Sequence, residues 1–288
     1  MPFVNVNGCD LHFSDWGQPG GQPVVLAHAW GLSGVMWNQQ LPDLIESGLR
    51  CVVFDRRGHG RSDRPGTGYD LDTLADDLAG VIDHLRLEKP IVVGHSLGAS
   101  EVVRFLTRHG TDRVSGIVLS APTLPALLKS ADNPDGVDAA VFEEARRAMR
   151  ADIGAWMART TDEQYFGPSW PMEVDLGIWT RQQIAATPLP VLLACQLSFV
   201  EADFRSEMRA LDVPTLVIQG DADTSCPLEM TGRPTAALIP RSRLVIIEGA
   251  GHGLYASAAG RYNEAILEFV NSCRGEHVGP RSEPEAVR

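Results

Sequence analysis

Ile91-Val92-Val93-Gly94-His95-Ser96-Leu97-Gly98 begins as an apolar, β-branched run and ends in a glycine-bracketed turn, after which a helical segment continues to about His109. A short apolar run without polar alternation is the pattern of a strand covered on both faces. Glycines two residues before and after Ser96 let strand and helix approach closely, and the sharp turn holds the serine in a strained backbone conformation. Its hydroxyl is then expected at the carboxyl edge of a sheet, beside a helix N-terminus whose amides favour negative charge. Ser96 is the candidate nucleophile. The bare Gly-x-Ser-x-Gly pattern also arises by chance, and it is the strand before it and the helix after it that give it meaning.

Outward from this point the chain repeats the same grammar. Pro23–Ala27 (PVVLA) and Cys51–Phe54 (CVVF) are further buried-strand runs, and Gly116–Ser120, Thr215–Gln219 and Leu244–Ile247 are strand candidates. Leu71, Leu74, Leu78, Val81, Ile82 and Leu85 fall at helical spacing, which predicts a crossover helix before the Ile91 strand. Val4–Asn7 and Leu11–Asp15, joined at Asn7-Gly8, read as an opening hairpin. A last helix is expected over about Ser257–Val270. Strands alternating with helices predict an α/β class with a mostly parallel, doubly wound sheet. The stretch 122–208 differs: it opens with Asp132-Asn133-Pro134-Asp135-Gly136 and continues with helical segments carrying Trp156, Phe166, Trp170 and Trp179, without a clear strand. It is expected to be a helical cap inserted into a core made of 1–121 and 209–276, with some of its aromatic side chains lining a substrate cleft. Residues 277–288, rich in Pro, Glu and Arg, are expected to form a solvated tail.

A serine hydroxyl is a weak nucleophile at neutral pH and needs a base within hydrogen-bond reach. His252, in the turn Gly249-Ala250-Gly251-His252-Gly253 after the Leu244 strand, is expected at the same sheet edge as Ser96 and is the candidate base. An orienting carboxylate should follow another strand between serine and histidine. Gly220-Asp221-Ala222-Asp223 offers two, of which Asp223 is preferred because it lies further into the loop. A calcium-loop reading of Asp221, Asp223 and Ser225 fails, since Cys226 and Gly232 stand where glycine and glutamate are required. Attack on a carbonyl also needs preorganised backbone donors for the oxyanion. The amides of Leu97 and of Trp30, in His28-Ala29-Trp30-Gly31 after the PVVLA strand, are the candidates. His28, His95, Trp156 and Trp179 are taken as pocket residues.

Bulk properties narrow the field. The chain has 288 residues, 44% hydrophobic content and a formal net charge of -12, enough to bury a sizeable core and unsuited to nucleic acid. No apolar run of about 18 residues is present. Met1–Asp10 lacks the basic and apolar regions of a signal peptide, so a cytoplasmic protein is expected, with no membrane partner. Five scattered cysteines with no Cys-x-x-Cys spacing suggest neither disulfides nor a zinc site.

With these parts in place the chain resembles the cofactor-free bacterial haloperoxidase and arylesterase branch of the α/β-hydrolases. The likeness runs from about Pro23 to Phe269. It is carried by the elbow, by Phe54-Asp55-Arg56-Arg57-Gly58-His59-Gly60-Arg61-Ser62, by Gly68-Tyr69-Asp70, by Leu127-Leu128-Lys129 with the Asp132–Gly136 turn, by Asp203-Phe204-Arg205, and by the Asp223 and His252 loops. The resemblance implies an α/β-hydrolase fold, Ser96, Asp223 and His252 as the triad, a small-molecule ester or lactone substrate, no metal or organic cofactor, and it allows for a homo-oligomer. Amide or carbon-carbon bond hydrolysis by the same triad, and a small-molecule receptor on this scaffold, are the competing readings. Epoxide hydrolases and haloalkane dehalogenases use aspartate at the elbow, where this chain has Ser96. Two departures stand out: Ala29 replaces the family's usual glycine, and Gly31 stands where relatives often carry a proline associated with perhydrolysis.

Overall fold

The computed structural model describes residues 2–160, 163–169 and 174–276; the expected tail at 277–288 and Trp170 lie outside them. β1 (Phe3–Val6) and β2 (Cys9–Trp16) form the antiparallel hairpin, turning through Asn7 at φ 50° and Gly8 at φ 69°, the paired left-handed residues that a tight two-residue hairpin demands. There follow β3 (Pro23–Ala27), α1 (Leu41–Glu46), β4 (Arg50–Phe54), α2 (Leu71–His84), β5 (Ile91–His95), α3 (Leu97–His109) and β6 (Gly116–Ser120). Before the next strand come the helices α4 (Ala139–Ala151), α5 (Ile153–Thr160), α6 (Glu163–Phe166), α7 (Val174–Ala186), α8 (Leu189–Glu201) and α9 (Arg205–Arg209). The chain then returns through β7 (Thr215–Gly220), α10 (Gly232–Leu238), β8 (Ser242–Ile247), α11 (Leu254–Ser257) and α12 (Ala259–Glu276).

The eight strands form one sheet in the order β1-β2-β4-β3-β5-β6-β7-β8. β3 to β8 run parallel, and the hairpin joins antiparallel through β2 on β4. This is the α/β-hydrolase architecture. The unbroken apolar character of the central strands has a direct cause. Val25, Val92, Ile117 and Leu119 enter the core layer under α2 and α3. Their neighbours Val24, Leu26, Ile91, Val93 and Val118 enter the opposite layer, with Leu44 of α1 and Ile266 and Phe269 of α12. Alternate side chains serve opposite layers, so neither parity can be polar. α2 starts where Asp70 accepts the Thr73 N–H at 2.9 Å, an N-cap that satisfies one orphan amide of the first turn. Its stripe Leu71, Leu74, Leu78, Val81 and Ile82 is buried as the spacing predicts, and Leu85 just past its end is half-buried.

Two ion pairs are sealed below the carboxyl edge of the sheet. Arg57 holds Asp77 by Nε at 2.5 Å and Nη2 at 2.6 Å. Arg56 donates from Nε and Nη2 to Glu101 of α3, and both side chains are fully buried. Removing one partner of such a pair strands a charge in low dielectric. Glu101→Leu should therefore lower the unfolding free energy by about 3–5 kcal/mol, and adding Arg56→Met should recover part of that loss. Urea denaturation of the two variants checks this; a double variant no more stable than the single one contradicts it.

Candidate active site

Ser96 sits between β5 and α3 at φ 57° and ψ −116°, a left-handed conformation that a non-glycine residue keeps only when its surroundings enforce it. They do so here. The Ser96 N–H donates to Ser120 O at 2.9 Å, tying the turn to β6. Its carbonyl accepts from Thr123 Oγ1 at 3.2 Å. A side-chain carbon at Gly94 would strike the Gly98 carbonyl, and one at Gly98 would strike the Ala27 carbonyl and meet His28 O at 3.0 Å. Both glycines are required by close approach, and the second brings the start of α3 against the loop after β3.

His252 follows β8 and reaches Ser96: its Nε2 lies 3.0 Å from Ser96 Oγ. Its Nδ1 lies 2.8 Å from Asp223 Oδ2. Asp223, in the loop after β7, also accepts the backbone N–H groups of Ser225 at 2.9 Å and Cys226 at 2.8 Å through Oδ1. A carboxylate that accepts from two amides is fixed in place and orientation. The ring must then donate from Nδ1, which leaves Nε2 free to accept the serine proton. Asp221 does something else: it is exposed and accepts the Gly249 N–H at 2.6 Å, fastening the turn that carries His252.

Leu97 is the first residue of α3, so its N–H has no partner within the helix. Trp30 lines the same cavity as Ser96, and its indole Nε1 donates to Leu192 O at 2.8 Å, anchoring its loop to α8. The left-handed backbone in this loop falls on Gly31 at φ +72° and not on Ala29.

Three of the four expected pocket residues lie elsewhere. His28 is fully buried behind the loop, where its Nε2 accepts the Arg56 N–H at 2.9 Å and its Nδ1 donates to Ala29 O at 2.8 Å. Both ring nitrogens are spent on backbone, so the ring cannot turn into the cleft. His95 is also fully buried. Its Nδ1 lies 2.9 Å from Ser120 Oγ, and its ring meets His252 edge to face at 5.1 Å, so it backs His252 instead of lining the cavity. Trp179, partly buried, packs on the core and does not line the cavity. Trp156 does line it and stands edge to face with Trp30 at 5.6 Å. Phe166 is buried beneath the His252 turn and accepts the Gly251 N–H at 3.1 Å through its carbonyl.

The cavity over Ser96 and His252 has a volume of about 410 Å³, and none of its lining side chains among the described residues is Asp, Glu, Lys or Arg. Several of its residues escaped sequence reasoning. Tyr165 stands edge to face with His252 at 5.6 Å, while its carbonyl accepts the Gly253 N–H at 2.7 Å. Thr123, Phe142, Gln196, Phe199 and Met230 complete much of the wall. No short motif marks these positions, because they meet only when the helices after β6 fold back over the sheet edge.

Burial also sets the protonation of the supporting histidines. Desolvation first, then the Arg56 charge, push His28 well below its usual range and His59 down to about 3. Desolvation, followed by the neighbouring His252, does the same to His95. All three stay neutral in the folded chain, whereas the unfolded chain binds their protons near the ordinary value of 6.5. Their contribution to stability is complete above that pH and is lost as the pH falls from 6.5 towards the folded values, at up to about 4 kcal/mol per pH unit for three protons. The melting temperature should hold level above about pH 7.5 and drop steadily in mild acid; a level curve down to pH 5 contradicts the assignment.

A serine at a strand-to-helix elbow, with an acid and a histidine on the loops after later strands of a mostly parallel sheet, is the arrangement of the serine-dependent α/β-hydrolases. The chain belongs to the α/β-hydrolase family, whose fold model matches residues 22–259. A non-heme chloroperoxidase, CPO-A1 of Kitasatospora aureofaciens, is 36% identical over 280 residues, covering 94% of this chain and 100% of the relative. Among solved structures, a bromoperoxidase from Bacillus anthracis superposes with a TM-score of 0.87 at 35% identity, covering 91% of this chain and 96% of that one. An esterase from Exiguobacterium antarcticum superposes at 0.88 with 27% identity, covering 93% and 98%. Among the described residues no single helix is long and apolar enough to cross a membrane.

Proposed function

We propose that this chain hydrolyses carboxylic esters or lactones through an acyl-enzyme, with Ser96 as nucleophile, His252 as base and Asp223 as its orienting acid. The observation that carries the reading is the continuous hydrogen-bonded line from Asp223 through His252 to Ser96, with spacings of 2.8 and 3.0 Å. As the serine oxygen bonds to the substrate carbonyl carbon, its proton passes to His252 Nε2 and the carbonyl electron pair moves onto oxygen. The N–H groups of Trp30 and Leu97 are the donors for that oxyanion. Collapse expels the alcohol oxygen, which takes the proton from His252; in a lactone it stays attached to the acyl chain. Water then attacks the acyl carbon with His252 again as base, releasing the acid and restoring Ser96. Residues 122–208 act as the cap that shapes the cavity over the core of 1–121 and 209–276.

Perhydrolysis, with peroxide in place of water, is the second reading, favoured by the likeness to a protein named as a chloroperoxidase. Against it stands Gly31. Its φ of +72° is closed to proline, whose ring holds φ near −65°, and its carbonyl accepts the Thr187 hydroxyl at 3.2 Å. The backbone that proline imposes in relatives is therefore not the one found here, and water is the preferred second nucleophile.

Ser96→Ala should abolish both covalent labelling by an organophosphate and turnover of p-nitrophenyl acetate. Labelling that persists identifies another nucleophile, and a wild-type chain that binds esters tightly without turnover favours the receptor reading. Asp223→Asn should lower kcat by roughly four orders of magnitude, as the same substitution does in a serine-protease triad. Asp221→Asn, which only loosens the Gly249 turn, should cost far less; steady-state kinetics showing the reverse ranking would exchange the two roles.

A further inference from the structure

The cavity wall leaves one polar group with an unusual set of partners. Thr123 donates its hydroxyl to Ser96 O and Thr160 donates to Trp156 O, at 3.2 and 3.0 Å, so both protons are spent on backbone. Gln196 of α8 is different. It lines the cavity and is 7% exposed. Its Oε1 accepts from Arg146 Nη1 at 3.1 Å. A guanidinium can only donate, so this contact settles the amide orientation: oxygen towards Arg146, nitrogen away from it. The hydrogen bonds of the described residues leave the two N–H groups of Gln196 to the cavity. The arginine charge polarises the amide and makes those N–H groups stronger donors.

We propose that Gln196 is a specificity-determining residue that donates to a second, unreactive carbonyl oxygen of the substrate. The preferred substrates are then neutral esters or lactones that carry a ketone or amide carbonyl besides the one attacked by Ser96. This rests on the hydrolase reading of the site. The chemistry follows from what the cavity holds. A carboxylate or ammonium group would shed its hydration among side chains that include no opposite charge. A plain hydrocarbon chain would cover the Gln196 amide and leave its donors unpaired, which is unfavourable. A carbonyl oxygen is uncharged, accepts without needing to donate, and costs less to desolvate than an ion.

The test compares matched substrates differing by one CH2 to C=O exchange: p-nitrophenyl hexanoate against its 4-oxo and 5-oxo analogues, and hexyl acetate against oxohexyl acetates, in the full-length chain. The readout is the ratio of kcat/KM for the oxo ester to that for its parent, so a general loss of activity in a variant cancels. At one or more positions the wild type should favour the oxo ester by about fivefold to tenfold, the discrimination one paired donor supplies. Gln196→Met, of similar length and without a donor, should remove that preference. Arg146→Met, which frees the amide to turn over, should reduce it part of the way. Parent esters hydrolysed at rates whose oxo-to-parent ratios are the same in wild type and Gln196→Met overturn this proposal alone. Failure of the wild type to hydrolyse any of these esters overturns the reading of the site, and the proposal with it.

Discussion

At Ser96 the backbone is held at φ 57° and ψ −116°, a conformation that costs on the order of 1–3 kcal/mol for a residue with a side chain. The rest of the molecule is arranged so that this turn cannot relax. β5 is the central strand flanked by β3 and β6, its Ser96 amide is fixed to β6, and α3 is pressed so close to β3 that Gly94 and Gly98 have no room for a side chain. The strain has a structural effect. It lifts one hydroxyl out of the sheet edge, at the N-terminus of α3 and into the cavity.

The partners of that hydroxyl come from distant parts of the chain, and the sheet order supplies the geometry. β5, β7 and β8 run parallel, and the residues of interest all follow the carboxyl ends of these strands. Loops leaving such an edge crowd together at the point where strand order reverses direction. Each is then locked separately: Asp223 by two backbone amides, the His252 turn by Asp221 and by the carbonyls of Tyr165 and Phe166, and the loop after β3 by His28. The position of each loop is set by these hydrogen bonds as well as by the sheet order.

Burial below the edge explains why so many polar residues there are silent. Arg56 with Glu101 and Arg57 with Asp77 neutralise each other, and His28, His59 and His95 lose their charge to desolvation. The Phe54–Ser62 stretch, one of those that carry the resemblance in sequence, acts here as masonry. Asp55 accepts the Gly34 and Arg61 N–H groups, and the Arg56 amide props the ring of His28. All five cysteines are buried and none forms a disulfide, and those in the core layers pack as small apolar side chains.

The sequence by itself determined the strands, the crossover helix, the elbow, and which serine, acid and histidine the sheet edge brings together, because each of these is written in local periodicity, glycine placement and chain order. The choice between Asp221 and Asp223 was legible for the same reason: the residue deeper in the loop can turn back, and the nearer one stays at the rim. Only the tertiary structure decided which way the other rings face. His28 and His95 read as pocket residues by their neighbours in the chain, yet the first is held by the Arg56 amide and by Ala29 O beside it, and the second bonds through Nδ1 to Ser120 of β6. Trp156 of α5 and Trp179 of α7 are indistinguishable as letters in the stretch 122–208, and only the first reaches the cavity. Tyr165 and Gln196 carried no signal at all. Their positions depend on how helices with weak local preferences pack over the sheet edge, and side-chain direction in such packing is set by contacts between residues far apart in sequence.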